Sequence, residues 1–395
     1  MAGEGRAQPA MHRGAALLHR RRLRTAVVQA VYVFAAVGLG LLVPTVSVGA
    51  TVDSGRVTEV LVAIGAAFVP FIAIIYSLLF IVVQFSATAF TPRLNLFRDS
   101  PIVWHGFSFF TSVIVFAFTA SFTIDKDTQT TVLVPIVITV LVLVALVMFR
   151  ALQASAFKSI QLASTLSAVA RRGREVVNDV YPEQTTEGPA APAAHDAGDV
   201  RWPRRAGTLQ GIDVPALVRC AERADVVIEL CVQPGKVIHQ HGRVALVHGA
   251  GTVAAHEVIR SLHTGIERTF DQDPTMALRV FADIALRALS PGINDPTTAI
   301  QALDEIDTLL RQIVARDLAL ETVNGSDGQP RVKLQLPTWD DFLTVALDEI
   351  IAISPSWPVQ RRVEQLLTDL IEIAPAEHAE ALRARSDPPQ PQDPR

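Results

Sequence analysis

"TEVLVAIGAAFVPFIAIIYSLLFIVVQFSATAF" occupies positions 58–90, and past Glu59 it contains no charged side chain. Drawn as an α-helix at 1.5 Å per residue it extends roughly 50 Å, against about 30 Å of hydrocarbon in a bilayer. Three more apolar runs stand around it, Thr25–Ala50, Val103–Ile124 and Thr131–Phe149, each free of Asp, Glu, Lys and Arg. All four are close to or above the ~20 residues needed to cross a membrane. Backbone groups in lipid must bond internally, so helix is the expected form. The prediction is a four-helix transmembrane domain over residues 25–150, with Pro70 kinking the second span.

Composition agrees. Half of the residues are hydrophobic and only 19% are charged, with a mean hydropathy of +0.32. That balance is typical of a chain partly embedded in lipid. The net charge of -4 gives nucleic-acid binding no electrostatic support. With two cysteines, Cys220 and Cys231, a disulfide framework is not indicated. Arg20, Arg21, Arg22 and Arg24 precede the first apolar run and "SVGA" ends it, the outline of a signal peptide. Its apolar core is longer than the 7–15 residues usual there, so a retained span after a basic N-terminus, residues 1–24, is expected.

Loop charges orient the spans. Arg20–Arg24, Arg93, Arg98, Lys158, Arg171, Arg172 and Arg174 fall on one side of a four-span arrangement, Arg56 and Lys126 on the other. The positive-inside rule then predicts a bacterial plasma-membrane protein with both termini in the cytoplasm.

No ionisable residue sits deep in a span, which argues against proton coupling. Hydroxyls and amides do align. Ser77, Gln84, Thr88 and Thr91 fall on one face of the second helix; Ser108, Ser112, Thr119 and Thr123 do so on the third. Small polar residues serve helix packing, or they wet a conduction path; spacing alone leaves both open. Of these, Ser77, Gln84, Thr88, Ser108, Ser112 and Thr119 are the pore-lining candidates.

Beyond the membrane the apolar period continues through Leu152, Ala156, Ile160, Ala163, Leu166 and Val169, predicting a helical stalk over 151–181. Residues 182–200 are rich in Pro, Ala and Gly and read as a flexible linker. From 201 to 265 short strands are expected, with a helix at Ala216–Arg223 behind Asp213 and Pro215. The spacing Val232, Gly235, Ile238, Gly242, Leu246 resembles half of a lipoyl-type barrel-sandwich, in shape only, since the modifiable lysine is missing. His239 and His241 alternate as if on one strand face, but no familiar ligand set completes them, and no metal or cofactor is expected.

Residues 266–375 predict a helical bundle. Asp273–Pro274 and Asp295–Pro296 each read as an N-cap followed by proline at the first helical position. The helix between them buries Ala277, Leu278, Phe281, Ile284, Ala285 and Ala288, and shows Arg279, Asp283 and Arg287 as an ion-pair stripe. "SPGIN", Ser290–Asn294, is then a tight inter-helix connection with Gly292 permitting the reversal. Thr338 and Asp341 outline a capping box for Trp339–Ile353, and a further helix follows over Val359–Ile373. Residues 376–395 end in a Pro-rich stretch and read as a disordered tail.

Assembled, these features resemble the bacterial membrane-protein family called domain of unknown function 2254. The likeness rests on "VVQFSATAFTPRLNLFRD" (Val82–Asp99) and "RTFDQDPTMALRVFADIALRALSPGINDPTTAIQALD" (Arg268–Asp304). The resemblance implies four spans and a cytoplasmic domain, and it carries no activity, substrate or catalytic residue. The fold class expected is therefore an integral membrane α-helical protein with a cytoplasmic α+β domain, part barrel-sandwich-like sheet and part helical bundle. The motif residues to follow are Arg93, Asp271, Asp273, Asn294 and Asp295.

Three functions compete. A homo-oligomeric channel, passing a small ion and gated by its cytoplasmic domain, is the reading the polar stripes favour. A non-conducting scaffold or sensor would instead recruit a cytosolic partner from its place in the lipid bilayer. A hydrolase would use Asp271, Asp273, Asn294 and Asp295 around a divalent cation, although no phosphate loop, nucleophile elbow or His-Glu-x-x-His motif supports an enzyme.

Overall fold

The computed structural model describes residues 15–46, 49–89, 101–125, 129–181, 197–318, 322–354 and 356–386. The chain forms two compact units, the first over His19–Thr165 and the second from Leu166 to Arg395.

The first unit is built from α1 (Ala15–Leu42), α2 (Ser54–Ala89), α3 (Pro101–Thr123) and α4 (Leu133–Ile160). Each contains a segment long and apolar enough to cross a membrane: Val27–Thr45, Ser54–Phe85, Pro101–Thr123 and Leu133–Lys158. The loops before α2 and before α4 meet as a two-stranded antiparallel pair, β1 (Thr51–Asp53) and β2 (Gln129–Thr131), with Thr51 opposite Thr131. Asp53 then accepts the Arg56 amide at 2.8 Å and starts α2.

Helix α3 is the most enclosed of the four: Phe110, Val113, Phe116, Ala117 and Ala120 are buried. Small residues let its neighbours approach. A Cβ on Gly40 of α1 would stand 2.7 Å from Thr119 Cβ, and one on Gly65 of α2 3.2 Å from the Phe118 ring. Lipid tails are as apolar as leucine, so this close van der Waals contact, not a hydrophobic gradient, holds such helices together.

The stalk expected over 151–181 is interrupted. Helix α4 ends at Ile160, Gln161 is extended (φ -79°, ψ 124°), and α5 (Leu162–Val180) begins afresh. The Ser164 hydroxyl bonds the Gln161 carbonyl at 3.0 Å and also that of Lys158, bridging the break with a side chain.

From Leu166 onward α5 belongs to the second unit. There a five-stranded mixed sheet runs in the order β3–β7–β5–β10–β9: β3 (Ala197–Arg201), β7 (Arg243–His248), β5 (Val227–Leu230), β10 (Pro330–Lys333) and β9 (Thr322–Asn324). The β5–β10 pairing is parallel and the rest antiparallel. A second sheet has the order β6 (Val237–Ile238), β4 (Gly207–Ile212), β8 (Leu262–Gly265). Helices α6 (Val214–Ala224) and α7 (Ala255–Arg260) connect them. These sheets do not close into a barrel, and the larger one is completed by strands from beyond residue 265. The expected barrel-sandwich is thus corrected to two open sheets. Strand β3 also occupies the end of the expected linker, where Asp199 meets Arg201 at 2.7 Å and Arg243 at 3.0 Å.

The helices are α8 (Met276–Ala288), α9 (Pro296–Val314), α10 (Trp339–Leu343), a π-helical turn at Thr344–Asp348, α11 (Glu349–Ile353), α12 (Trp357–Ile373) and α13 (Ala376–Ser386). Buried Asp307 on α9 bonds Arg311 at 2.7 Å and Arg362 of α12 at 2.8 Å, while Arg311 reaches Asp369 at 3.0 Å. Helix α13 replaces much of the expected disordered tail. Its Ala379 and Leu382 are buried, and Arg385 clasps Asp348 at 2.6 Å and Asp340 at 2.8 Å. Two apolar positions one turn apart were enough to seat it; residues 387–395 lie outside the described residues.

Gly173 fixes α5 onto this bundle: a Cβ there would stand 2.5 Å from Ala277 Cβ and 3.2 Å from a Leu309 methyl. Gly173→Ala is expected to destabilise the folded chain by about 1–3 kcal/mol through overpacking. Adding Ala277→Gly, which removes the colliding methyl, should recover part of that loss in a double-mutant cycle read by thermal unfolding.

Candidate functional site

The segment Arg268–Thr275, "RTFDQDPT", joins three separate parts of the second unit. Asp271 faces Arg172 of α5 at 3.5 Å. Gln272, buried, pairs with the backbone of β4: its Oε1 accepts the Ile212 amide at 2.7 Å and its Nε2 donates to the Ile212 carbonyl at 3.1 Å. Asp273 is 2% exposed and accepts from Arg268 at 2.7 Å, from the Thr275 amide at 3.0 Å and from the Thr275 hydroxyl at 2.8 Å. Above it runs the turn 233–236, where Gly235 has φ 86° and leaves no room for a Cβ against the Asp273 carboxylate. Only glycine meets both demands.

Asp273 is therefore not the helix N-cap expected of it. Helix α8 starts later, behind Thr275, and no side chain caps it. The carboxylate instead closes a turn onto Thr275 and neutralises Arg268. Asp295 does cap α9, accepting the Thr298 amide at 3.1 Å and its hydroxyl at 2.6 Å. Those two bonds hold its carboxyl below the usual carboxylate range. In the connection, the residue with positive φ is Asn294 (48°), not Gly292, which has open space around it. The reversal is carried by asparagine in the left-handed region, a conformation its side chain tolerates.

The four carboxylate and amide oxygens considered for a hydrolase do not assemble. Asp271 and Asp273 precede α8 and Asn294 and Asp295 follow it, so its 13 residues separate the pairs by roughly 20 Å. Among the described residues no three His, Cys, Asp or Glu side chains converge as a metal site. His239 and His241 are exposed in the turn between β6 and β7, not on a strand. The ion-pair stripe on α8 is also partial: Arg279 bonds Asp283 at 2.6 Å and Glu349 at 2.6 Å, whereas the Nε of Arg287 is buried without a partner.

The polar residues of the spans part company. Ser108 and Ser112 are buried within the bundle, donating to the carbonyls of Trp104 at 2.9 Å and Phe109 at 2.6 Å. Thr119 is half-buried, close to Gly40. Ser77 and Gln84, in contrast, are exposed on α2. Counted from Val60, Gln84 lies about 36 Å along the helix, at the rim of the hydrocarbon or beyond. The side chain of Thr88, together with Thr91 and Arg93, lies outside the described residues.

Both thiols are free, and burial is the main influence raising each above its ordinary value, helped by Glu257 at Cys220 and by Glu229 at Cys231. Arg268, Gln272 and Gly173 escaped the sequence reading; Gly235 entered it as a glycine of a turn between short strands, which its φ of 86° bears out, but not as the neighbour of Asp273. A lone glycine inside a helical pattern was the one available sign of a close approach at Gly173.

Two substitutions separate the structural weights. Asp273→Ala strands the Arg268 charge and is expected to cost about 3–5 kcal/mol. Asp295→Ala removes a cap and is expected to cost about 1 kcal/mol. Because the Asp295 carboxyl titrates low in the folded chain, its contribution is full above the ordinary carboxylate range. The Asp295→Ala penalty should therefore shrink as pH falls through the lower, folded-state value, which denaturation at stepped acid pH would record.

Comparison with known proteins gives relatives without activities. Uncharacterized protein Mb1321c of Mycobacterium bovis and uncharacterized protein Rv1290c of Mycobacterium tuberculosis are each 27% identical to this chain over 316 residues. Those alignments cover 75% of this chain and 60% of each relative, so the chain spans well under the full length of the curated proteins it matches. No solved structure matches. A family model described as "Predicted membrane protein" covers residues 22–369, from the first apolar helix through most of α12, and the chain accordingly belongs to that family, DUF2254.

Proposed function

We propose that the protein is a non-conducting membrane scaffold or sensor, held in the bacterial plasma membrane with its termini and its second unit on the cytoplasmic side. Seating of α5 carries this reading. That helix begins two residues after α4 ends, and it is held by Gly173 against Ala277 and by Arg172 against Asp271. The same segment, 268–275, grips β4 through Gln272 and faces the Gly235 turn through Asp273. A displacement of α5 is thereby felt by both sheets and by the helical bundle, the arrangement a sensor requires. The burial of Ser108 and Ser112, whose hydroxyls are taken by their own helix, supports the absence of a water path within one protomer.

A channel between copies is the second reading, favoured by one observation: Ser77 and Gln84 are exposed on α2. The two readings differ in liposomes. The scaffold reading expects ion flux no greater than in empty vesicles. Sustained flux that Ser77→Leu abolishes would sink it and establish the homo-oligomeric channel. Sidedness has its own check. In a chain whose native cysteines are replaced, Ala50→Cys should react with an impermeant thiol reagent added outside intact cells. Labelling only after lysis would reverse the orientation.

A further inference from the structure

One end of the helical bundle collects apolar side chains that the chain itself leaves uncovered. Ile293 is 48% exposed, Ile353 59% and Trp357 65%. They come from two places in the sequence, the α8–α9 connection and the α11–α12 junction, and helix directions bring them to one end. Helices α8 and α9 form an antiparallel hairpin whose connection contains Ile293. Helix α12 runs parallel to α9, since Arg362 meets Asp304 and Asp307 while Arg311 meets Asp369 farther along both. The start of α12, Trp357, thus lies at the α9 start. Ile353 closes α11 just before it, and Gln360 of α12 bonds the Ser354 carbonyl between them at 2.9 Å.

Helix α5 shares this direction. Gly173 lies against Leu309, and Asn178 bonds Gln312 at 2.6 Å and Arg316 at 2.8 Å, so α5 is also parallel to α9. Its first turns, which follow the last apolar helix by two residues, therefore begin at the same end. The chain therefore enters the bundle at this end, and not at the opposite one, directly after its last apolar helix. Tethering over so few residues keeps the local concentration of lipid high and makes even a small apolar contact effective.

We propose that Ile293, Ile353 and Trp357 form a lipid-docking surface that rests in the headgroup layer of the membrane crossed by the chain's own helices. The chemistry suits that layer. Tryptophan prefers the interface, where its ring is half in apolar surroundings. The Arg361 guanidinium lies 5.4 Å over the Trp357 ring, presenting a cation beside the apolar contact. Anionic headgroups are accordingly the preferred contact. The proposal rests on the four apolar helices being membrane spans and is independent of whether the protein conducts.

Tryptophan fluorescence tests both levels separately. The full chain is reconstituted in phosphatidylcholine–phosphatidylglycerol nanodiscs, with and without acyl chains brominated near the glycerol end. Subtracting Trp104→Phe and Trp357→Phe variants isolates one tryptophan in α3 and one at the docking surface. The proposal expects brominated lipid to remove most of the Trp357 component, and lipid to protect it from acrylamide relative to detergent. Ile293→Ser with Ile353→Ser should weaken both effects, and Arg361→Gln should remove their dependence on phosphatidylglycerol. Quenching of Trp104 without Trp357 overturns the docking surface and leaves the spans standing. Acrylamide protection of Trp357 without bromine quenching also overturns it, by assigning the patch to a protein or to a second copy. If neither tryptophan is quenched, the membrane reading fails and takes the proposal with it.

Discussion

A carboxylate 2% exposed to solvent must be matched by donors, and at Asp273 four of them converge from Arg268 and Thr275. Much else in the second unit is positioned by that requirement. The chain has to turn sharply at Thr275, which sets where α8 begins. Gly235 has to present bare backbone, so that the connection between β5 and β6 can lie against the Asp273 carboxylate. Between these anchors Gln272 holds the β4 backbone with both ends of its amide, and Asp271 is left facing α5. One short loop therefore relates the sheets, the bundle and the helix leading from the membrane.

The membrane-spanning unit obeys a different constraint. Hydrophobic burial offers little between helices already in lipid, so packing distance decides which helix is central. Helix α3 has the lowest mean hydropathy of the four spans, 1.7, and is the most enclosed. Its serines and threonines are short and return their hydrogen bonds to their own helix, as Ser108, Ser112, Ser121 and Thr123 do. Their polar groups are thereby satisfied within α3, while Gly40 draws near at Thr119 and Gly65 at Phe118 and Ala117. A stripe of hydroxyls on a helical wheel is thus a packing device here, and on α3 it need not mark water.

Features governed by local periodicity were legible in the sequence. The four apolar helices, the Asp213 and Asp295 caps, the Thr338–Asp341 capping box and the buried face of α8 all depend on residues within two turns of one another. What escaped depends on partners far along the chain. Asp273 looked like a cap because Pro274 follows it, yet Arg268 and the Gly235 turn claim its carboxylate. The five-stranded sheet needs β10 beside β5, about a hundred residues apart, and no spacing within 201–265 announces that. Helix α13 was masked by the prolines after it, although Arg385 ties it to Asp348 and Asp340. For the candidate site, the motif residues were found by their density of Asp, Pro and Gly, but their division between two ends of α8 came only with the helix itself.

The central claim is that α5 is part of the folded second unit and moves with it. Hydrogen–deuterium exchange of the full chain in nanodiscs tests that most directly. Amides across Val169–Val180 should exchange as slowly as those in the middle of α8 and α9, and Asp271→Ala should speed exchange in α5 and β4 together. Fast exchange in α5 beside a fully protected α8 and α9 would contradict the account, leaving α5 as a free tether.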